Sequence, residues 1–361
     1  MITDYETRIR VAPHGEERLE LYRAAIKEAD EDGDFLYRFY RRTDYISESV
    51  FHSDGMEALV VFPKAMQIFD EEAAKGLTDA EDCKELMWSF KYLLDACRSY
   101  YQVGVKQFED FLEEYKKRCL AYGFSLRTYY RIMMDFYRRV DSEKEAEGFN
   151  NFPKGTRDRL SDCAACDLNS EVEYLLYHGE RKAAREKAQK LFSRIMHCSE
   201  VPEITYEAFT LDSCKRIAGG EIVNIEEAEE MCLNYANGIR YRNKAVDGFG
   251  IPMLYYALTG SNKALPWFKK YSTTFESFRG PVYKFYFAMG AVAFLNSLGK
   301  ENYKMKLNTD YPFYNEDNVY NVKQLAEYYY KFALDVATKL DGRNGTDSFK
   351  KELDLFCNWQ C

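Results

Sequence analysis

The sequence predicts an all-α fold, a right-handed α-solenoid of about six or seven stacked helical hairpins. Three stretches share one pattern, a glycine followed by an alanine and then by apolar residues four and seven positions further on. They are Gly55, Ala58, Phe62 and Ala65; Gly260, Ala264, Phe268 and Tyr271; and, more loosely, Gly179, Ala184, Ala188 and Leu191. Small residues at these intervals lie on one helical face and admit a neighbouring helix, while the glycine ends the preceding helix.

Apolar residues recur at three- and four-residue intervals along most of the chain, which indicates amphipathic helices. In order these segments are 16–30, 34–49, 57–75, 79–101, 105–122, 126–140, 162–178, 181–197, 204–218, 225–240, 251–258, 262–275, 282–298, 319–340 and 348–359. No segment sustains the two-residue alternation of a strand, so we expect strands to play no part. The last two helices would cap the open end of the stack.

A break is expected from Gly148 to Gly155, and it is clearest over 150–155, because Pro153 cannot continue a helix and Gly155 permits a sharp turn. We therefore expect N-terminal helical repeats over 1–147, an irregular connection over 148–161 and C-terminal repeats over 162–361. The alternative is one continuous solenoid. A second irregular stretch is predicted at 307–317.

The composition excludes several classes of partner. Of 361 residues, 46% are hydrophobic and 30% charged, and the net charge of −9 disfavours attraction to nucleic acid or to an anionic membrane. The longest apolar run, 285–295, is shorter than the ~20 residues that span a bilayer. Residues 1–17 have no signal-peptide core, and ten cysteines then indicate a reducing compartment. We expect a soluble cytoplasmic protein.

The stretch 55–65, GMEALVVFPKA, resembles the second helix of a tetratricopeptide repeat (TPR). A wider resemblance is to a family of uncharacterised bacterial proteins with divergent repeats of this kind. The stretches that carry it are 29–30 with 33–34 (AD and GD), 87–92 (MWSFKY), 123–127 (GFSLR), 162–166 (DCAAC) and 198–202 (CSEVP). Together they cover residues 15–300. The resemblance implies an α-solenoid and implies no reaction.

Three cysteines predict a metal site. Cys163 and Cys166 have the C-x-x-C spacing, and Cys198 lies one helical hairpin later. The first helix of that hairpin would rise about 24 Å and the second would return about 27 Å, at ~1.5 Å per residue. Cys198 is therefore expected beside the pair, where three thiolates and one further ligand suit tetrahedral zinc.

The fourth ligand is less defined. In the resembling family a histidine usually follows the proline of the C-x-x-x-P stretch, and here that position is Glu203. A glutamate oxygen can bind zinc, and His197 or Cys214 are the alternatives. Such a zinc ion would be structural and would join consecutive hairpins. The competing interpretation is three reduced cysteines packed as small hydrophobic residues.

No phosphate-binding loop, dinucleotide-binding glycine motif or nucleophile elbow is present, and the four histidines form no metalloprotease or triad pattern. The favoured function is accordingly a non-catalytic scaffold or adaptor that binds a protein or peptide in a concave groove. The alternative is a regulatory sensor whose curvature changes when a small ligand or peptide binds. An enzyme without a recognisable motif is the third possibility.

Four residues are predicted to line the groove: Lys91, Tyr92, Arg127 and Tyr130. Cationic donors beside aromatic surface suit an acidic or carboxylate-bearing partner segment. The competing interpretation is that the tyrosines pack between helices while the cations simply reach solvent.

Overall fold

The structure is a computed structural model that describes residues 5–53, 55–242, 249–277 and 280–357. Within these residues it contains seventeen α-helices and one pair of three-residue strands, which confirms the all-α prediction. The chain divides into two compact units, residues 1–161 and 162–361. In the part of the chain that is described, no helix combines the length and the apolar character needed to cross a membrane.

The described residues of unit 1 form eight helices and a final 3₁₀ turn. They are α1 Tyr5–Val11, α2 Glu16–Asp32, α3 Phe35–His52, α4 Met56–Ala73, α5 Ala80–Cys97, α6 Val105–Ala121, α7 Arg127–Tyr137, α8 Ser142–Asn151 and the turn Phe152–Lys154. Sequential helices pack in pairs, α3 with α4, α5 with α6 and α7 with α8. The first helices of these pairs also contact one another in succession, since α5 packs against both α3 and α7.

Aspartates begin several of these helices. Asp34 accepts a hydrogen bond from the backbone of Tyr37 and caps α3. Asp79 forms a capping box with Asp82 at α5, and Asp141 accepts from two backbone N–H groups of α8. An aspartate in the N-cap position satisfies N–H groups that have no partner within the helix, so it fixes where the helix starts.

The expected break at Gly148 is absent, because α8 continues through it to Asn151. A Cβ at Gly148 would lie 2.7 Å from the backbone N of Met134 and 2.9 Å from the carbonyl oxygen of Tyr130. The glycine therefore serves close packing of α8 on α7 rather than a turn. The segment that follows is also packed into unit 1, where Phe152 and Leu160 are fully buried.

Unit 2, over the residues that the structure describes, contains nine helices, a 3₁₀ segment and a small hairpin. They are α9 Ala164–Tyr177, α10 Arg181–Phe192, α11 Glu203–Ala218, α12 Ile225–Arg242, α13 Gly250–Leu258, α14 Ala264–Tyr271, the 3₁₀ segment Ser272–Ser277, α15 Gly280–Ser297, β1 Asn302–Lys304, β2 Val319–Asn321, α16 Val322–Asn344 and α17 Ser348–Cys357. Neighbouring helices again pair, α9 with α10, α11 with α12 and α13 with α14. The first helices form a contact series from α9 through α11 and α13 to α15.

The apolar run 285–295 is the centre of unit 2. It lies in α15, which packs against α13, α14, α16 and α17 and buries residues on all its faces. Two glycines allow α13 and α15 to touch. A Cβ at Gly250 would lie 2.1 Å from the carbonyl oxygen of Tyr286, and one at Gly290 would lie 2.5 Å from that of Gly250. This run is hydrophobic because other helices surround it.

The strands β1 and β2 form an antiparallel pair in which Tyr303 faces Tyr320. The predicted irregular stretch 307–317 is the loop between them, and Tyr311 within it hydrogen-bonds Tyr329 of α16 at 3.2 Å. The strands escaped the sequence analysis because three residues are too few to show a two-residue alternation.

Two helical glycines make a matched test of close packing. Gly148→Ala is expected to lower the free energy of unfolding by about 1–3 kcal/mol, because the new methyl group meets backbone atoms that cannot yield. Gly342→Ala in α16 is the control: among the described residues, no other part of the chain comes within 4 Å of the position that a Cβ would take there, so a gain of about 0.4–1 kcal/mol is expected. Urea unfolding followed by circular dichroism measures both, and equal effects would contradict the packing role.

Candidate functional site

Two of the predicted zinc ligands lie at the start of α9. Cys163 is the N-cap residue, with extended backbone, and its sulfur accepts a hydrogen bond from the backbone N–H of Cys166 at 3.4 Å. Cys166 belongs to the first helical turn. The C-x-x-C spacing thus places both sulfurs at the same helix end, where N–H groups without helical partners stabilise negative charge.

The third cysteine lies in the turn between α10 and α11. The sulfur of Cys198 accepts hydrogen bonds from the backbone N–H groups of Glu200 at 3.3 Å and Val201 at 3.4 Å. The backbone N–H of Cys198 also donates to the carbonyl of Val201 at 3.1 Å, which closes a tight turn around the sulfur. The turn after α10 therefore lies beside the first turn of α9.

The three sulfurs form a compact group. They all lie within 4.8 Å of one another, and the sulfurs of Cys166 and Cys198 are 3.5 Å apart. Tetrahedral zinc with Zn–S bonds of about 2.3 Å holds its sulfurs about 3.8 Å apart. The spacing of the cluster is thus close to that of a zinc site.

The sulfurs differ in their acid–base character. Partial burial opposes ionisation of Cys163, but hydrogen bonds from the backbone of Cys166 and from the thiols of Cys166 and Cys198 outweigh it and hold the pKa of Cys163 below its usual value. Burial, together with the adjacent Cys198 and Cys163 sulfurs, raises the pKa of Cys166. Mutual repulsion of closely spaced thiolates is what a bound cation would relieve.

Exposure separates this cluster from cysteines that merely fill a core. Cys163 is exposed, and Cys166 and Cys198 are half-buried. By contrast, Cys214 is fully buried in α11, and burial with the nearby Cys232 raises its pKa well above the ordinary value. Packing as small hydrophobic residues accounts for Cys214 but not for an exposed thiol that converges on two others.

None of the three proposed fourth ligands belongs to the group of donors within 4.8 Å of one another; among the described residues that group holds only the three sulfurs. The carboxylate of Glu203 pairs with the guanidinium of Arg194 at 3.4 Å. The ring of His197 is exposed and hydrogen-bonds the carbonyl of Arg194 at 2.9 Å. The sulfur of Cys214 belongs to the core of unit 2.

The structure corrects the assignment of Lys91 and Arg127 to an open groove. Lys91 is only 2% exposed; its ammonium group lies 3.4 Å from the carbonyl oxygen of Leu160 and 3.9 Å from the ring centroid of Trp88. Arg127 is 8% exposed, and its guanidinium donates to the carbonyls of Phe152 at 3.1 Å and Gly155 at 3.0 Å. Both residues are therefore buried rather than presented on an open surface.

The reason is that residues 152–160 of the chain itself lie against α5 and α7. Thr128 also donates to the carbonyl of Leu160, at 3.0 Å, and Trp88 donates to that of Arg159 at 3.1 Å. A buried irregular segment leaves carbonyl groups without helical partners, and these cations supply the donors. Lys91 and Arg127 do contact oxygen atoms, but these are backbone carbonyl oxygens of the same chain and not carboxylates of a partner.

The two tyrosines of the predicted groove have different surroundings. Tyr130 is half-buried beside Tyr129, with ring centroids 5.1 Å apart. Tyr92 contacts Phe51 of α3 edge-on at 4.9 Å and Trp88 at 5.6 Å. Phe51 is 42% exposed, and Trp88 and Tyr92 are partly exposed. Phe51, Trp88 and Tyr92 thus form a continuous aromatic row on α3 and α5.

A second polar cluster was missed by the sequence analysis. The buried carboxylate of Glu48 accepts from the backbone N–H of Gly15 at 2.7 Å, and it lies 2.9 Å from Nδ1 of His14 and 3.7 Å from the guanidinium of Arg18. His14 stacks on His52 at 3.8 Å. The Arg18 cation offsets the carboxylate, so the cluster fastens the α1–α2 turn to α3. His14 and Glu48 lie 34 residues apart along the chain, so no local spacing indicates the cluster.

Comparisons with protein families, with curated proteins and with solved structures found no match to this chain.

Arg127 and Arg10 make a contrasting pair of variants. Arg127→Ala is expected to lower the free energy of unfolding by about 2–4 kcal/mol, because it leaves buried carbonyl groups without donors and removes packing on the Phe152 ring. Arg10→Ala, at an exposed position of α1, should change it by less than about 0.5 kcal/mol. Unfolding in guanidinium chloride measures both changes. If Arg127→Ala left the free energy of unfolding unchanged, Arg127 would again be assigned to an exposed groove.

Proposed function

We propose that the chain is a non-catalytic interaction protein, a scaffold or adaptor that binds a protein or peptide. Each unit is, in this proposal, a short right-handed solenoid of TPR-like hairpins. The support is the order in which the helices contact one another. The two helices of a hairpin pack together, and the first helix of each hairpin also packs against the first helix of the next hairpin. These first helices form the series α3–α5–α7 in unit 1 and α9–α11–α13–α15 in unit 2. Stacked repeats of this kind present an extended surface made of side chains from successive hairpins.

The observation that carries the binding proposal is the aromatic row. Phe51, Trp88 and Tyr92 come from first helices of two successive hairpins, and they remain partly exposed although they contact one another. Large aromatic side chains lose little entropy when they are covered and are enriched where proteins bind partners. The expectation of an acidic partner rested on Lys91 and Arg127, which bind the chain's own carbonyls. The partner proposed here therefore offers apolar side chains to the row.

The row is tested by capture of a partner from native lysate. The chain is expected to retain a stoichiometric protein partner, and a Phe51→Ala, Tyr92→Ala variant should lose it by at least about tenfold, since hot-spot aromatic residues carry most binding energy. Val60→Ala is the control, because Val60 is 77% exposed on α4, a second helix. If the double variant retained the protein partner, the aromatic row would not be the binding surface. If a small molecule raised the melting temperature and no protein partner was captured, the regulatory sensor would be favoured over the scaffold.

We propose further that Cys163, Cys166 and Cys198 hold one structural zinc ion. The sulfurs have the required spacing, and backbone N–H groups already donate to those of Cys163 and Cys198. Bound zinc would keep the thiols ionised and join the start of α9 to the turn before α11. That link would hold two consecutive hairpins of unit 2 in one arrangement, which is how a metal could support a binding surface without taking part in a reaction.

Elemental analysis of protein prepared without chelator is expected to find one equivalent of zinc. Cys166→Ser should reduce the content below about a tenth of an equivalent, because zinc-site energy depends on the complete ligand set. Cys83→Ser in unit 1, a half-buried cysteine outside the cluster, should leave it at one. Chelator should also lower the melting temperature of the parent chain. A metal-free parent chain, or equal loss in both variants, would overturn the zinc proposal.

A further inference from the structure

We infer that the cysteine cluster is also a site of reversible oxidation, in which hydrogen peroxide converts the thiols of Cys166 and Cys198 into a disulfide bond. The disulfide itself needs only the sulfurs, whereas its effect on zinc rests on the zinc site proposed above. Three observations carry the inference: the contact between these two sulfurs, their attachment to different segments of unit 2, and the exposure of the cluster.

The sulfurs of Cys166 and Cys198 are already in contact. They lie 3.5 Å apart, whereas a disulfide bond holds two sulfurs about 2.0 Å apart. Each sulfur is carried by a single rotatable side-chain bond, so small rotations of both side chains can close the remaining gap of about 1.5 Å. The two residues are 32 positions apart along the chain. The fold therefore brings together two thiols that no local spacing pairs.

Cys163 has a different role in the cluster. Its sulfur caps α9 by accepting the backbone N–H of Cys166 at 3.4 Å. A bond between Cys163 and Cys166 would draw that sulfur away from the helix end, and the loss of a cap destabilises a helix. The disulfide is therefore assigned to Cys166 and Cys198, and Cys163 remains a thiol.

The cluster is accessible to a small oxidant. Cys163 is exposed, and Cys166 and Cys198 are half-buried. Among the described residues, the buried cysteines are Cys97, Cys119, Cys214, Cys232 and Cys357. Oxidation of a cysteine requires that the oxidant reach its sulfur, so buried thiols react slowly. Hydrogen peroxide in solution therefore reaches the cluster before it reaches these core thiols.

The reaction is a two-electron oxidation of two thiols. One sulfur attacks a peroxide oxygen, so the O–O bond breaks, a sulfenic acid forms and the first water leaves. The second sulfur then attacks the sulfenic sulfur, the S–O bond breaks and a second water leaves. Two thiols and one hydrogen peroxide thus give one disulfide and two waters. The two sulfurs lose one electron each, and the peroxide oxygens are reduced to water.

Oxidation removes two of the three sulfur ligands that the proposed zinc site provides. The thiolate is the form of cysteine that binds a metal, and neither sulfur of a disulfide is a thiolate. Cys163 alone would remain as a thiolate ligand, so zinc is released, and solvent supplies the two protons that the zinc form lacks. The disulfide still joins the start of α9 to the turn before α11. A dithiol reductant reverses the reaction by thiol–disulfide exchange.

Peptide mapping of the oxidised full-length chain tests the disulfide directly. The chain is first stripped of metal with a chelator, treated with about one equivalent of hydrogen peroxide and digested without reduction. Tandem mass spectrometry is expected to find Cys166 joined to Cys198 with the loss of two hydrogen atoms, and dithiothreitol should separate the peptides. A disulfide that contains Cys163, a sulfinic acid in place of a disulfide, or unreacted thiols would overturn the inference.

Three variants assign the bond without relying on the position of the fragments. Cys163→Ser is expected to keep the linked peptides, whereas Cys198→Ser should reduce their yield at least about tenfold, because one of the two bonded sulfurs is lost. Cys83→Ser, which removes a half-buried cysteine of unit 1, is the control and should behave as the parent chain. The reverse order for Cys163 and Cys198 would assign the disulfide to Cys163. Circular dichroism checks that each variant is folded.

The zinc-loaded chain separates this inference from the zinc proposal. Peroxide is expected to release one zinc ion for each disulfide formed, and a chromogenic chelator measures the release. A parent chain without zinc that still forms the Cys166–Cys198 bond would refute the zinc proposal and support the inference. A loaded chain that keeps its zinc, together with a stripped chain that forms no disulfide, would overturn the inference and leave the zinc proposal intact.

Discussion

Close contact between helices, at points where only a glycine fits, is the constraint on which the two units depend. In unit 2 the backbones of α13 and α15 meet at Gly250 and Gly290, where any Cβ would overlap the facing backbone. In unit 1 Gly148 allows the same approach of α8 to α7. Helices that approach this closely fix the position of everything attached to them, including the segments that follow each crossing.

The buried cations of unit 1 are a consequence of that packing. Residues 152–160 follow the α7–α8 crossing and are held against α5 and α7, where their carbonyls are removed from water. Buried carbonyls require donors, and Arg127 supplies several from one rigid group, whereas Lys91 adds contact with the Trp88 ring. Their desolvation is tolerable because each is surrounded by oxygens or an aromatic face. The partly exposed aromatic row then remains as the surface on which our binding proposal rests.

The cysteine cluster of unit 2 depends both on local helix geometry and on the path of the α9–α10 hairpin. Cys163 and Cys166 are brought together by one helix start, and Cys198 is presented by a tight turn whose N–H groups point at its sulfur. Three thiols so close together are electrostatically unfavourable once ionised, and a divalent cation removes that cost. Arg194 lies at the junction, since it binds Glu203 with its side chain and His197 with its backbone. The proposed zinc would thus depend on the turn as much as on the ligands.

What the sequence by itself determined is local. Three- and four-residue periodicity predicted the helices, and the alanines and larger apolar residues of the glycine–alanine stretches, such as Ala58 and Ala264, are buried as their spacing requires. The lengths of α9 and α10 predicted that Cys198 returns to Cys163 and Cys166, because helix rise per residue is nearly constant.

Only the tertiary structure decided the rest. The surroundings of Lys91 and Arg127 and the role of Gly148 depend on partners that lie far along the chain or on another helix. The pairing of Glu203 with Arg194, nine residues earlier, depends on the turn that follows α10. Helical periodicity says which residues share a face, but not whether another segment covers that face. Coverage is set by long-range packing and by the need to pair every buried polar group, and neither has a local pattern.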